Sequence, residues 1–156
     1  MGSPFEVLAA RPRGGISAAD AHHVLAAALE AVGEAIVVCG RDGRVTHLNR
    51  HARELLGAGC DGRGTDAATW MRALQPRTAS GLALPAEDLP PLRALAGEVV
   101  QCVDVLVTLC GRETLLEVCA RPASDARGRT RGAIVTLRDV TEPRREEALR
   151  RAAVRA

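Results

Sequence analysis

The residues that most constrain this chain stand near its end, in RGAIVTLRDVTEPRREEALRR. Ala133-Ile134-Val135-Thr136-Leu137 is a β-type run that does not alternate apolar with polar. It predicts a strand buried on both faces, in the middle of a sheet with something covering its second side. Without a break the chain passes through Asp139-Val140-Thr141 into an Arg- and Glu-rich helical segment. Thr141 is placed to N-cap that helix, and Pro143 falls in its first turn, where a missing N–H costs nothing. Glu142, Glu146 and Glu147 suit the positive end of its dipole. A buried strand that hands over directly to a charged helix reads as a joint through which a sheet passes a change of state.

Two more runs, Val99–Leu109 and Thr114–Pro122, are joined around Cys110-Gly111-Arg112-Glu113. A two-residue turn on Cys110-Gly111, or on Gly111-Arg112, makes them a hairpin. Either turn puts Val103, Val105 and Val107 beside Leu116 and Val118, a clean core face. Either puts Asp104, Leu106 and Thr108 beside Leu115, Glu117 and Cys119, a mixed face.

Upstream, Ser17-Ala18-Ala19-Asp20 resembles a capping box, and Val24, Leu25, Ala28, Leu29 and Val32 form one apolar stripe at helical spacing. This helix, residues 17–33 with its ending Gly33, is the candidate cover for the central strand, from the same chain or from a dimer partner. Residues 1–16 hold Gly and Pro without a period and are expected to be a flexible arm. Ala35–Cys39 and Val45–Leu48 flank an Asp42-Gly43 hairpin signal. Asn49 is well placed to N-cap the segment RHARELL, which Gly57 closes. Short helices are expected around Trp70–Leu74 and from Pro85 to Gly97, separated by loops.

The chain has 156 residues, net charge +2, no lysine and no tyrosine. Interleaved Arg and acid with a single Trp and a single Phe argue against a nucleic-acid surface. No run approaches the roughly 20 apolar residues that cross a bilayer, and no signal peptide opens the chain, so no membrane partner and a cytoplasmic location are expected. The five cysteines include no C-x-x-C pair, so they are expected to be free and mostly buried, in a reducing compartment.

The order helix, two strands, short helices, three strands, helix resembles a PAS domain over about residues 20–142. The resemblance is carried by LEAVGEAIVVCGRDGRVTHLNRHARELLG, LPAEDLPPLRALAGEVV and LLEVCARPASDARGRTRGAIVTLRDVTE. Within them, Asn49-Arg50-His51-Ala52 matches the family's N-x-x-A helix start. Asp139-Val140-Thr141 matches its closing Asp-x-Thr step. The resemblance implies an α+β fold: a five-stranded antiparallel sheet of order 2-1-5-4-3, with helices on one face. The core would span residues 34–142, and a signalling helix would start at 143–156. It implies a bacterial sensory module, commonly a homodimer through the helix before the core. Val24, Leu25, Ala28, Leu29 and Val32 would then form the dimer interface, with Asp139 and Thr141 as the output step. The chain stops at Ala156 inside that helix, so a following effector is expected: a kinase, a phosphatase or a cyclic-dinucleotide enzyme.

The family encloses a small pocket. By the face argument its walls here would include Ile36, Val38, Trp70, Leu74, Leu92, Leu95, Val103, Val105, Leu116 and Val118. Such walls suit a small apolar ligand, or a packed core that serves dimerisation alone. Residues 86–96 hold no axial His, which argues against haem, and nothing resembles the flavin-binding Cys segment. Cys60 has the wrong neighbours for that role. His47 and His51 flank Asn49 without a third metal ligand, and His22 and His23 point apart on their helix. Ser17, Ser80 and Ser124 stand in no nucleophile motif, so no catalytic residue, metal or enzyme activity is expected.

Overall fold

The computed structural model describes residues 15, 17–57 and 62–156, and shows an antiparallel sheet with helices on one face. All of the expected N-terminal arm except Gly15 lies outside the described residues, as does Cys60. In chain order come α1 (Ala18–Ala31), β1 (Ala35–Gly40), β2 (Val45–Leu48), α2 (Arg50–Leu56) and α3 (Ala67–Ala73). They are followed by β3 (Arg77–Thr78), a 3-10 turn (Ala86–Asp88), α4 (Pro90–Leu95), β4 (Val100–Leu109), β5 (Arg112–Ser124), β6 (Thr130–Asp139) and α5 (Thr141–Arg155). The sheet order is β2-β1-β6-β5-β4-β3. Without the two-residue edge strand β3, it is the expected five-stranded order. The short Arg77–Thr78 run carries no periodicity that a sequence reading could use.

Strand β6 lies mid-sheet, with Val135 opposite Val37 on β1 and Ala120 on β5. Gly132 is required there: a Cβ would stand 2.4 Å from the Cys39 carbonyl oxygen. The β4–β5 turn is Cys110-Gly111, since Leu109 pairs with Arg112. Both turn residues have positive φ, 49° and 76°, the twist that a two-residue hairpin prefers.

Alternation then sorts the sheet. Val37, Val105, Val107, Leu116, Val118, Val135 and Leu137 turn inward and are buried against α2, α3 and α4 with Leu56, Trp70, Met71 and Leu74. Each fully buried aliphatic side chain contributes about 1.5–3 kcal/mol, so this layer supplies most of the driving force. The outer face departs from expectation. Ile134 is 41% exposed, and no residue of α1 is buried. Among the described residues the unalternating run is central in the sheet with its outer face open at Ile134, although Ile36, opposite Thr136 on β1, is 6% exposed.

The free-cysteine expectation also fails. Cys102 and Cys119 form a disulfide between β4 and β5, with Cα atoms 4.4 Å apart. They lie 17 residues apart, and it is the hairpin register that makes them neighbours. Among the described residues, Cys39 and Cys110 are free.

Asn49 is the buried polar hub. Its Oδ1 accepts from the Ile36 and Ala52 N–H groups, both at 2.9 Å. Its Nδ2 donates to the Leu29 and Glu34 carbonyls at 3.0 and 2.7 Å. One side chain thus caps α2, holds the start of β1 and ties down the end of α1. Asn49→Ala removes the cap and strands buried backbone groups. Urea denaturation should show a loss of about 3 kcal/mol. Asp66→Ala, which removes only an exposed cap on α3, should cost about 1 kcal/mol.

Candidate functional site

The space between sheet and helices is nearly filled. A cavity of about 10 Å³ remains, walled by Trp70, Leu74, Val105, Leu116 and Val118 among the expected residues, together with Val37, Met71 and Val135. That volume is close to the least that can hold one water molecule. Ile36 and Val38 do not reach it. Val37, between them, faces the interior and pairs with Leu48, so alternation turns Ile36 and Val38 to the outer face. The run Ala-Ile-Val-Val-Cys is apolar throughout and gives no parity signal. Leu92, Leu95 and Val103 pack against the core at its margin without lining the cavity. Trp70 is 8% exposed, and its indole N–H is buried without a hydrogen-bond partner.

The second constellation is the joint between β6 and α5. Thr141 is the first residue of the helix, not its N-cap, which is Val140 without a side-chain cap bond. The Thr141 hydroxyl instead bridges: it donates to Asp139 Oδ1 at 2.7 Å and accepts from the Leu115 N–H at 3.0 Å. The same Asp139 oxygen accepts from the Thr141 N–H, and the Val140 N–H donates to the Leu115 carbonyl at 2.9 Å. Both main-chain groups of Leu115 on β5 are therefore committed to the joint.

One turn on, Arg144 reaches back across the outer face. It donates to both oxygens of Asp104 on β4, at 3.0 and 3.3 Å, and to Glu117 on β5 at 3.1 Å. Asp104 and Glu117 stand directly opposite each other in the ladder. Two like charges in that position repel, so the guanidinium between them offsets a destabilising pair. Hydrogen bonds to Asp104, and then its charge and those of Glu117 and Glu147, raise the Arg144 pKa further. No local pattern singles out Arg144. The mixed face with Asp104 and Glu117 side by side was the available signal, since a facing acid pair needs a cation from elsewhere.

At the other end, α1 is held by few contacts. Besides Asn49, the Glu30 carboxylate accepts from the Arg50 N–H at 2.8 Å and pairs with Arg53 at 3.3 Å, with His47 Nε2 at 3.7 Å. The Arg50 N–H, aided by Arg53 and His47 against partial burial, holds this carboxyl below the ordinary glutamate range. On the stripe of α1, Val24 is 58% and Leu25 65% exposed, Ala28 is exposed, and Leu29 is half-buried, with Val32 40% exposed just beyond the helix. Among the described residues no three His, Cys, Asp or Glu side chains converge to hold a metal ion, and no helix is long and apolar enough to cross a membrane.

A family model described as PAS fold matches residues 29–145. No curated protein matches the chain. Among solved structures, the PAS domain from Bordetella pertussis BvgS is 23% identical, covering 86% of this chain and 95% of that one at a TM-score of 0.56. An RNA-binding light-oxygen-voltage receptor is 25% identical, covering 92% of this chain and 40% of that one at a TM-score of 0.59. The sensor region of a sensor histidine kinase is 22% identical, covering 88% of this chain and 56% of that one at a TM-score of 0.53.

Two outcomes follow from this geometry. Arg144→Gln leaves Asp104 without its cation and Glu117 with Arg138 alone. Hydrogen exchange read by mass spectrometry should rise about fivefold in the first turns of α5 while β1 and β6 keep their protection. For Glu30 the folded pKa is the lower one, so its contribution is present at neutral pH and lost as pH falls through and below the ordinary glutamate range. The Arg50 amide resonance should shift over that acidic window in the wild type and stay still in Glu30→Gln.

Proposed function

The chain belongs to the PAS-fold family, and from that premise we propose that it is a dimeric regulatory module of a bacterial signalling protein. PAS domains are in general sensory and signalling modules. In this reading the input is a partner, or a change in the packing of α1, met on the open outer face of the sheet. The output is the set of α5, transmitted through Asp139, Thr141 and the Arg144 contacts to a linked effector of the kinase, phosphatase or cyclic-dinucleotide class.

The observation that carries this reading is the filled interior. A drug-sized ligand needs several hundred Å³, as would a flavin or a haem, against the cavity of about 10 Å³ here. The exposed surface supports the same reading. The stripe of α1, with Leu25 65% exposed, and Ile134 in the middle of the sheet, 41% exposed, together suit burial against a second copy. The alternative is a small-ligand sensor whose core opens to admit its ligand. The indole N–H of Trp70 lies against Gly62, buried and without a partner among the described residues, and a core that opened at that loop would offer it to a ligand acceptor, which favours that reading. Neither reading gives the domain an enzymatic step.

Native mass spectrometry separates the two. A dimer of unmodified mass supports the partner reading; an added small-molecule mass that disappears in Trp70→Phe supports the ligand reading. A monomer at all concentrations sinks the dimer. Leu25→Glu should weaken self-association at least about tenfold, measured by light scattering after size exclusion, without changing the fold.

A further inference from the structure

We propose that Cys102 and Cys119 are a thiol–disulfide modification site on the outer face of the sheet, and that its state sets how firmly Arg144 holds α5. From the proposed function this takes only that α5 is the output element.

Val100 pairs with Ala120 and Val103 with Val118, so the ladder slips between them, and Cys102 lies within that irregularity opposite Cys119. A bulge leaves a residue out of the ladder and weakens the hold of one strand on the next. The disulfide spans this weak point. Two residues along each strand, on the same face, come Asp104 and Glu117, the facing acids that Arg144 bridges. With the bond closed, the strands on the Cys102 side of this pair are covalently fixed. With it open, the slipped segment 100–104 is held by ordinary pairing alone, so Asp104 can shift relative to Glu117, which Arg138 also holds from β6 at 2.9 Å. The Arg144 geometry needs both carboxylates in place, so opening the bond loosens the latch.

Among the described cysteines the site is accessible and selective. Cys102 is exposed and Cys119 half-buried, so a reagent meets Cys102 first. Cys39 is buried, and burial pushes its thiol up to about 11, which leaves it unreactive. Cys110 stands at the hairpin tip, eight residues along β4, a span of about 26 Å, and cannot reach either partner.

The chemistry is a two-electron exchange with a low-molecular-weight disulfide. The Cys102 thiolate, having given its proton to solvent, attacks one sulfur of that disulfide and expels a thiolate. The Cys119 thiolate, likewise deprotonated, then attacks Cys102 Sγ and expels the second thiolate. Two protein thiols are oxidised, one external disulfide is reduced to two thiols, and the two protons released are taken up by the leaving thiolates. A dithiol reductant reverses both steps.

The test uses the full 156-residue chain. It is equilibrated in oxidised and in reduced glutathione, alkylated, digested without reductant and mapped by mass spectrometry, with hydrogen exchange measured on each state. A linked Cys102–Cys119 peptide is expected in the oxidised buffer and two alkylated cysteines in the reduced one. Exchange in the first turns of α5 should be about fivefold faster in the reduced protein, with β1 and β6 unchanged. Cys102→Ser with Cys119→Ser should show the fast exchange in both buffers. Arg144→Gln should exchange fast whether or not the bond is present. Thiols that never link in oxidised glutathione overturn the proposal, and so does a bond that opens and closes with no change at α5. Neither result bears on dimerisation, which the mass and light-scattering measurements decide separately.

Discussion

The side chain of Asn49 is the contact on which the rest of the arrangement depends. It is fully buried, and all of its hydrogen-bonding atoms are engaged, with partners on α1, on the α1–β1 connection, on β1 and on α2. The first strand can join β6 in one register only if its start is fixed. An amide that accepts from Ile36 and donates to Glu34 fixes it from both sides. The inner face of β1 then meets Leu48 and Val135, and the helices have a defined floor to pack on. No other residue type offers two donors and two acceptors in so small a volume.

From that floor the two faces of the sheet diverge in character. Inside, apolar side chains fill the layer to within about one water molecule's volume, so the interior is closely packed and resists continuous deformation. Outside, the sheet carries Ile134, the Cys102–Cys119 bond, the Asp104–Glu117 pair and Arg138 bound to Glu117 at 2.9 Å. Apolar packing holds the domain in one shape, whereas charged and exposed contacts have alternatives of similar energy. A regulatory change is easier to place on the second kind of surface than on the first, and it is there that Arg144 anchors α5.

Much of this was legible in the chain itself. The element order, the hairpin faces and the central position of the last strand follow from alternation and turn chemistry, and the Asn49 cap from its place before RHARELL. What escaped was what local pattern does not encode. Ala35–Cys39 is apolar at every position, so nothing distinguished Val37 from Ile36 and Val38. In the run 133–137, Ala133, Val135 and Leu137 are core while the equally apolar Ile134 is exposed, and a sequence cannot tell that from burial on both faces. Cys102 and Cys119 become partners through the hairpin register that the Cys110-Gly111 turn sets, which two open turn choices left undecided. Thr141 was expected to cap a helix, yet its hydroxyl is turned toward Leu115, a partner 26 residues earlier.

Helix α5 hangs from β6 covalently but is oriented by the β4–β5 hairpin. Leu115, Asp104 and Glu117 all belong to that hairpin, and they hold Val140, Thr141 and Arg144. A force on the hairpin therefore reaches α5 directly, with no rearrangement of the packed interior. The facing carboxylates favour that hold. With Arg144 bound between them their repulsion is offset, and Arg138 adds a second cation on Glu117. A signal releases the helix only if it favours the free position by more than the difference these contacts supply. Because the contacts are exposed and few, that difference is small enough for a modest event on the outer face to supply.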